Sequence, residues 1–200
     1  MKFPMSVVVL FVLLIQPLVA SASDAWQDRF QWEVRPGFAI PTENFFGGED
    51  LDNGFGISGS VAMMFTSNFG AYAGLDVNAF NNPSSFAGQN VNVLESGYSL
   101  GLQIQSPLNA SGRLGFRARA GLTYADIELT PDYERDSLAR SGHGGGWELG
   151  IAMVIALPNK WMITPGVRYR ALGRNLDYVG TVRRVRLDYF TVGVGFSRTF

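Results

Sequence analysis

The chain contains no cysteine. That excludes a disulfide framework and any thiolate metal site, so packing and hydrogen bonding alone must hold the fold. Charge of one sign is also lacking, since 16 basic residues face 17 acidic ones and the formal net charge is −1. A strongly basic nucleic-acid binder is thereby ruled out. Past the N-terminal segment no apolar run reaches eighteen residues, which removes helical membrane spans. Histidine occurs once, at His143. No cofactor or metal pattern is read anywhere along the chain.

The one continuous apolar stretch lies at the start. Met1-Lys2 opens with a positive charge, Val7 to Ile15 is apolar, and Ala20-Ser21-Ala22 is a small-residue cleavage site. Gln16 and Pro17 interrupt the run before it is long enough to span a bilayer, so residues 1–22 are expected to be a secretory signal peptide. Residues 23–200 then form the mature domain.

What the mature chain has in quantity is glycine, at 24 residues, and aromatics, at 13%. Both suit many short strands passing close to one another. The last eleven residues show the pattern most plainly. Phe190, Val192, Val194, Phe196 and Phe200 alternate with Thr191, Gly193, Gly195, Ser197 and Thr199, and successive strand side chains point to opposite faces. Seven earlier segments do the same, beginning near Phe30, Gly54, Phe69, Leu94, Leu114, Trp147 and Trp161. Each is about 10 residues, the length a tilted strand needs to cross a bilayer.

Connections alternate as well. Residues 66–68, 106–111 and 158–160 are short, and residues 41–53, 80–92, 127–145 and 172–185 read as long polar loops. Short turns on one side and long loops on the other are the habit of outer-membrane barrels, with an aromatic girdle at each interface. The expectation is an all-β, eight-stranded antiparallel transmembrane β-barrel, an up-and-down meander with both termini in the periplasm. A soluble β-sandwich accounts less well for the inner face, which carries glycine, serine and isolated charges. Pro36 and Pro165 fall inside strands; each removes a ladder donor, so local bulges are expected there.

The chain resembles the small outer-membrane β-barrel family that includes the barrel domain of OmpA and the opacity proteins. The resemblance is carried by Leu114 to Tyr124, by Gly146-Trp147-Glu148-Leu149-Gly150-Ile151 leading to Pro158-Asn159-Lys160, by Thr164 to Arg170, and by the terminal Phe200. It implies a bacterial outer-membrane location, lipid and lipopolysaccharide as surroundings, and Phe196 and Phe200 as the signal read by the barrel-assembly machinery. The family usually has a hydrophobic residue two places before the last, where this chain has Arg198. Family members include adhesins, tethers and narrow pores. The implied role is therefore a structural or surface-interaction protein with an extracellular ligand on its loops, or alternatively a pore.

An eight-stranded barrel leaves an interior that side chains can fill. Glu33, Arg35, Asp76, Glu95, Arg117, Arg119, Glu148, Arg168 and Arg170 all point inward by alternation. They must pair, because an unpaired buried charge costs several kcal/mol. If residues 158–160 set the register, Glu148 lies opposite Arg170. Such a network is either a permanent polar plug or a gate whose pairs exchange partners; the cost of breaking a pair favours the plug.

Other motifs are weaker. Gly97-Tyr98-Ser99-Leu100-Gly101 and His143-Gly144-Gly145-Gly146 mimic a hydrolase nucleophile and oxyanion loop. A mid-strand serine is not on the sharp strand-to-helix turn that exposes such a nucleophile. A loop site around His143 with Glu134, Asp136, Ser137 and Ser141, acting on lipid A, is the less favoured enzymatic option. Glu43, Glu49, Asp50 and Asp52 read as a solvated acidic loop. Arg174, Arg183, Arg184 and Arg186 are candidates for lipopolysaccharide phosphates.

Overall fold

Alternation in the sequence becomes alternation across a barrel wall. The computed structural model describes residues 28–42, 51–86, 89–109, 111, 113–131, 139–178 and 181–200. Residues 1–22, read as a signal peptide, lie outside these. The strands are β1 (Phe30–Pro41), β2 (Gly54–Met64), β3 (Phe69–Phe86), β4 (Gln89–Pro107), β5 (Leu114–Pro131), β6 (Ala139–Arg140), β7 (Gly144–Ala156), β8 (Trp161–Tyr178) and β9 (Thr181–Thr199). Their order is β4-β3-β2-β1-β9-β8-β7-β5, and β4 also pairs with β5, so the sheet closes with eight staves. The two-residue β6 continues the β7 edge of β5, through Glu128↔Arg140 and Leu129↔Ala139. All pairings are antiparallel. Closure joins the terminal strand to the first, with Ile40 opposite Phe190 and Gln31 opposite Thr199.

Asp28, where the described residues begin, lies beside Phe200 and shares one end of the barrel with the short turns, here the terminal end. Phe200 N–H donates to the Phe30 carbonyl. The turn between β7 and β8 is a single 3₁₀ turn at Pro158–Lys160, in which Asn159 and Lys160 take left-handed φ of 60° and 64°. Lys160 Nζ lies 2.5 Å from Asp28. The Trp32 and Trp161 rings meet edge-on at 5.5 Å, and the Arg198 guanidinium sits 5.6 Å from the Trp161 ring centroid. Arg198 thus follows the outward phase of Phe196 but covers an aromatic face at the belt's edge. Its apolar stem stays on the belt while its charge finds a π-face.

Neither proline makes a bulge. Pro36 pairs with Ile57 in an unbroken register with β2, and Pro165 with Val194 in an unbroken register with β9. Instead, the β1–β9 ladder skips Arg35 and Pro36 while its register is the same on both sides of the gap. The β7–β8 ladder likewise skips Pro165 and Thr164. A proline lacks a donor toward one neighbour only, so one ladder opens and the other closes normally.

Two of the expected loops are strands. Residues 80–86 and 89–92 continue β3 and β4, and 172–178 and 181–185 continue β8 and β9. These hairpins extend well past the aromatic belt formed by Phe38, Phe55, Tyr98, Tyr124, Trp147 and Phe190, all exposed. Beyond that belt the polarity of the wall inverts. Phe80, Val93, Ile127, Leu129, Leu172, Val185 and Leu187 point inward and are buried, whereas Asn81, Gly173 and Arg186 lie on the exposed phase. Strand phase never changes; the apolar residues switch from its outer to its inner face. Below the belt the outside must suit lipid, and above it the inside must exclude water.

Candidate functional site

Glu33, Arg35, Asp76, Glu95, Arg117, Arg119, Glu148, Arg168 and Arg170 form two tiers in the lumen. In the tier nearer the termini Glu33 of β1 is the single carboxylate. It accepts from Arg119 Nη1 at 3.0 Å and Arg35 Nη2 at 3.2 Å, and pairs directly with Arg117. Thr164 Oγ1 donates to it at 3.0 Å. Neutral oxygens take up the remaining donors: Gln105 Oε1 accepts from Arg117 Nε and Nη2 at 3.0 and 2.9 Å, and Gln103 Oε1 accepts from Arg119 Nε at 3.1 Å.

The second tier is built around Arg170. Its guanidinium lies 2.6 Å from Asp76, 3.0 Å from Glu95 and 2.5 Å from Glu148. Glu148 and Arg170 face each other across the β7–β8 ladder. Arg168 contacts Asp76 at 2.7 Å and Glu148 at 3.6 Å. Hydroxyl and amide donors complete the carboxylates: Tyr72 on Glu148 at 2.7 Å, Ser99 on Asp76 at 3.3 Å, Asn78 and Tyr189 on Glu95 at 2.5 and 3.1 Å. The Tyr72 ring fits because Gly101 and Gly121 stand opposite each other on β4 and β5. A Cβ on Gly101 would lie 2.8 Å from that ring, closer than real Cβ contacts come.

Partners are drawn from across the barrel. In the ring of eight staves β1 and β5 are diametrically opposed, as are β3 and β8. Glu33–Arg117 and Asp76–Arg170 therefore bolt opposite walls together. Above the second tier the lumen is apolar, filled by Phe80, Val93, Ile127, Leu129, Leu172 and Leu187, with the Phe80 and Tyr189 rings 5.2 Å apart. Between the tiers remains a cavity of about 40 Å³.

The neutral partners Tyr72, Asn78, Gln103, Gln105, Thr164 and Tyr189 were not singled out by the charge pattern. All sit on strand positions whose alternation points them inward, Tyr189 just before the alternating run that begins at Phe190. That phase was the available signal, but phase alone does not say which carboxylate each will meet.

Surface expectations fare differently. Arg174 is not exposed: it is buried, and its guanidinium donates to the carbonyls of Ala125 at 3.2 Å, Gly145 and Gly173 at 2.7 Å, and to that of Gly144. The reason is local. The β7–β8 ladder ends at Gly146↔Leu172 while β8 continues, and Arg174 spans the parting strands as a substitute for ladder bonds. Arg174→Met is expected to speed amide exchange at Gly144, Gly145 and Asn175 at least tenfold while exchange in β1 and β2 stays unchanged. Hydrogen-exchange mass spectrometry checks this.

Arg186 is exposed and pairs with Asp188 at 2.9 Å. Arg183 and Arg184 belong to β9, opposite Leu176 and Asn175; their side chains lie outside the described residues. So do Glu43, Glu49 and Asp50 of the acidic segment, and Glu134, Asp136 and Ser137 near His143. Ser99 faces the lumen, whereas His143 stacks outside on the rings of Tyr98 and Tyr124 at 6.3 and 5.3 Å. The hydrolase-like pair is on opposite sides of the wall.

Residues 7–200 match the sequence profile of the Outer membrane protein beta-barrel domain family. No curated protein matches the sequence. Among solved structures, Neisserial surface protein A is similar with a TM-score of 0.59 at 16% identity, covering 86% of this chain and 97% of that one. The outer membrane protein OprG from Pseudomonas aeruginosa gives 0.57 at 13% identity over 87% and 98%. The outer membrane protein AlkL, solved in lipid bilayers, gives 0.52 at 18% identity over 90% and 94%. At such identities the likeness is one of fold.

Proposed function

Because this chain belongs to the outer membrane protein β-barrel domain family, we propose that it is a non-conducting outer-membrane scaffold that carries a surface-interaction site at the end remote from its termini. The termini and short turns face the periplasm, and the extended β3–β4 and β8–β9 hairpins and their connections stand outside the membrane. The observation that carries this reading is the filled lumen. Two ionic tiers and then an apolar plug occupy it, and the space between the tiers is about 40 Å³.

A pore would need both barriers to part. Arg168 and Arg170 share Asp76 and Glu148, so partner exchange within the second tier is geometrically simple. The apolar plug above it offers no such exchange, since its buried surface gains nothing from water. A catalytic role finds no support, with Ser99 inside the wall and His143 outside it.

At the surface, the exposed Arg186 above the aromatic belt suits a lipopolysaccharide phosphate, and Phe196 and Phe200 suit recognition by the barrel-assembly machinery. Any extracellular ligand would be met by the hairpin tips and the segments 42–53 and 131–143.

Planar-bilayer recording and a binding assay together test the proposal. The expected outcome is no resolved conductance steps for the wild type. Replacing residues 42–53 and 131–143 by short glycine-serine turns should abolish binding of barrel-bearing cells or vesicles to immobilised extracellular matrix or lipopolysaccharide, with insertion unaffected. Unitary steps altered by Arg170→Ala would overturn the non-conducting reading, and binding that survives both replacements would overturn the surface-interaction reading.

A further inference from the structure

We propose that the lumen binds one small inorganic anion, of the chloride class, in the cavity between its two charge tiers. This goes beyond the surface role and does not depend on it.

Charge is unevenly divided between the tiers. Three guanidiniums, Arg35, Arg117 and Arg119, surround one carboxylate, Glu33. The tier beyond holds Arg168 and Arg170 with Asp76, Glu95 and Glu148. The first tier therefore carries two uncompensated positive charges and the second one uncompensated negative charge. The excess is on the terminal side, and the cavity adjoins it: Arg35, Arg117 and Arg119 line the cavity from one side, and Arg168 with Asp76 and Glu148 from the other, so four cations face two carboxylates across it.

Two donors there have no acceptor. Arg119 Nη2 and Arg168 Nε are buried without a hydrogen-bond partner, and both residues line the same space. Buried guanidinium N–H groups are otherwise almost always satisfied. The Ser60 hydroxyl, which accepts from Arg119, also lines the cavity and can turn its proton inward. Asp76 and Glu148 also line the cavity, but their oxygens are taken up by Arg168, Arg170, Ser99 and Tyr72; the positions facing the Arg35, Arg117 and Arg119 side on β2 are Ser58 and Ser60, and on β7 Gly150.

A volume of about 40 Å³ admits a monatomic anion or a few waters and excludes a sugar acid or a phosphomonoester. Water could satisfy the donors but would leave the excess charge, and removing charge from water without a counter-charge is the larger cost. A halide supplies both an acceptor for several N–H and O–H groups and the missing charge.

Bromide exchanged for chloride, located by anomalous scattering in crystals of the folded barrel, tests the site directly. The expected result is one lumen peak within hydrogen-bonding distance of Arg119 and Arg168. In parallel, urea unfolding of the barrel in lipid vesicles is followed in sodium chloride and in sodium gluconate at equal ionic strength. For one site, the unfolding equilibrium constant should fall in inverse proportion to chloride concentration well above the dissociation constant, close to tenfold per decade, with no such dependence in gluconate. Arg119→Gln should remove the chloride dependence while the barrel still inserts. No lumen peak, or equal behaviour of the two salts, overturns the proposal; should Arg119→Gln fail to insert, the bromide position in the wild type decides alone.

Discussion

Arg170→Met is expected to destabilise the barrel by about 3 to 5 kcal/mol, the usual cost of stripping one partner from a buried ionic cluster. At 1.36 kcal/mol per decade this is more than a hundredfold in the folded population. Arg170 is the one cation in contact with Asp76, Glu95 and Glu148 together. Without it the three acids do not suffer equally. Asp76 and Glu148 retain Arg168, at 2.7 and 3.6 Å. Among the described residues Glu95, wholly buried, retains the neutral donors Asn78 and Tyr189. The second-site rescue is therefore specific: Glu95→Gln should restore more of the lost stability than Asp76→Asn or Glu148→Gln. Urea unfolding in lipid vesicles measures all four proteins. A loss under about 1 kcal/mol for Arg170→Met, or equal rescue by the three amide substitutions, would show that the tier is loosely coupled or hydrated.

Parts of this arrangement were legible in the sequence because they depend on neighbouring strands. The alternation of Phe190 to Phe200 gives each side chain its face, and the tight turn at residues 158–160 sets Glu148 against Arg170. Those are local quantities, fixed by a period of two and a turn length. Contacts across the lumen are not local. Glu33 on β1 reaching Arg117 and Arg119 on β5 depends on strand tilt and shear around half the ring. Nothing in the spacing of residues 33, 117 and 119 encodes that depth.

The misread loops have a different cause. Following Tyr124 outward along β5, an apolar-outside pattern stops, and Ala125, Ile127 and Leu129 begin an apolar-inside one. The same handover occurs from Tyr169 to Leu172 on β8 and, read backward, from Phe190 to Leu187 on β9. A search for one phase records the handover as the end of a strand, when it is the edge of the membrane belt. Arg174 lies past the same handover. On a segment taken for a polar loop an arginine reads as a surface charge, whereas the strand phase shared with Arg168, Arg170 and Leu172 turns it inward to the carbonyls of the parting strands. His143 shows the reverse: a residue on a glycine-rich connection packs on the outer aromatic girdle.

Glu33→Gln should cost a similar amount, about 3 to 5 kcal/mol, and by the opposite sign of charge. It leaves Arg35, Arg117 and Arg119 among oxygens that carry no charge: Gln103, Gln105, Ser60 and Thr164. A glutamine side chain keeps one acceptor oxygen for the Arg35 and Arg119 donors, while its amide N–H2 faces the Arg117 and Thr164 donors that met the other oxygen, so the charge and one acceptor are lost together. That makes this variant the sharpest companion to the anion site. With the resident carboxylate gone, the excess positive charge of the tier beside the cavity rises from two to three, and a halide should be bound more tightly than in the wild type. Chloride should therefore restore part of the lost stability and gluconate none, whereas in Arg170→Met, which removes a positive charge near the same cavity, chloride should help less than in the wild type. Opposite responses to one anion from two variants of comparable instability cannot arise from general screening, which would favour both or neither. Equal chloride responses in the two variants would instead place the whole cost in broken pairs and leave the cavity to water.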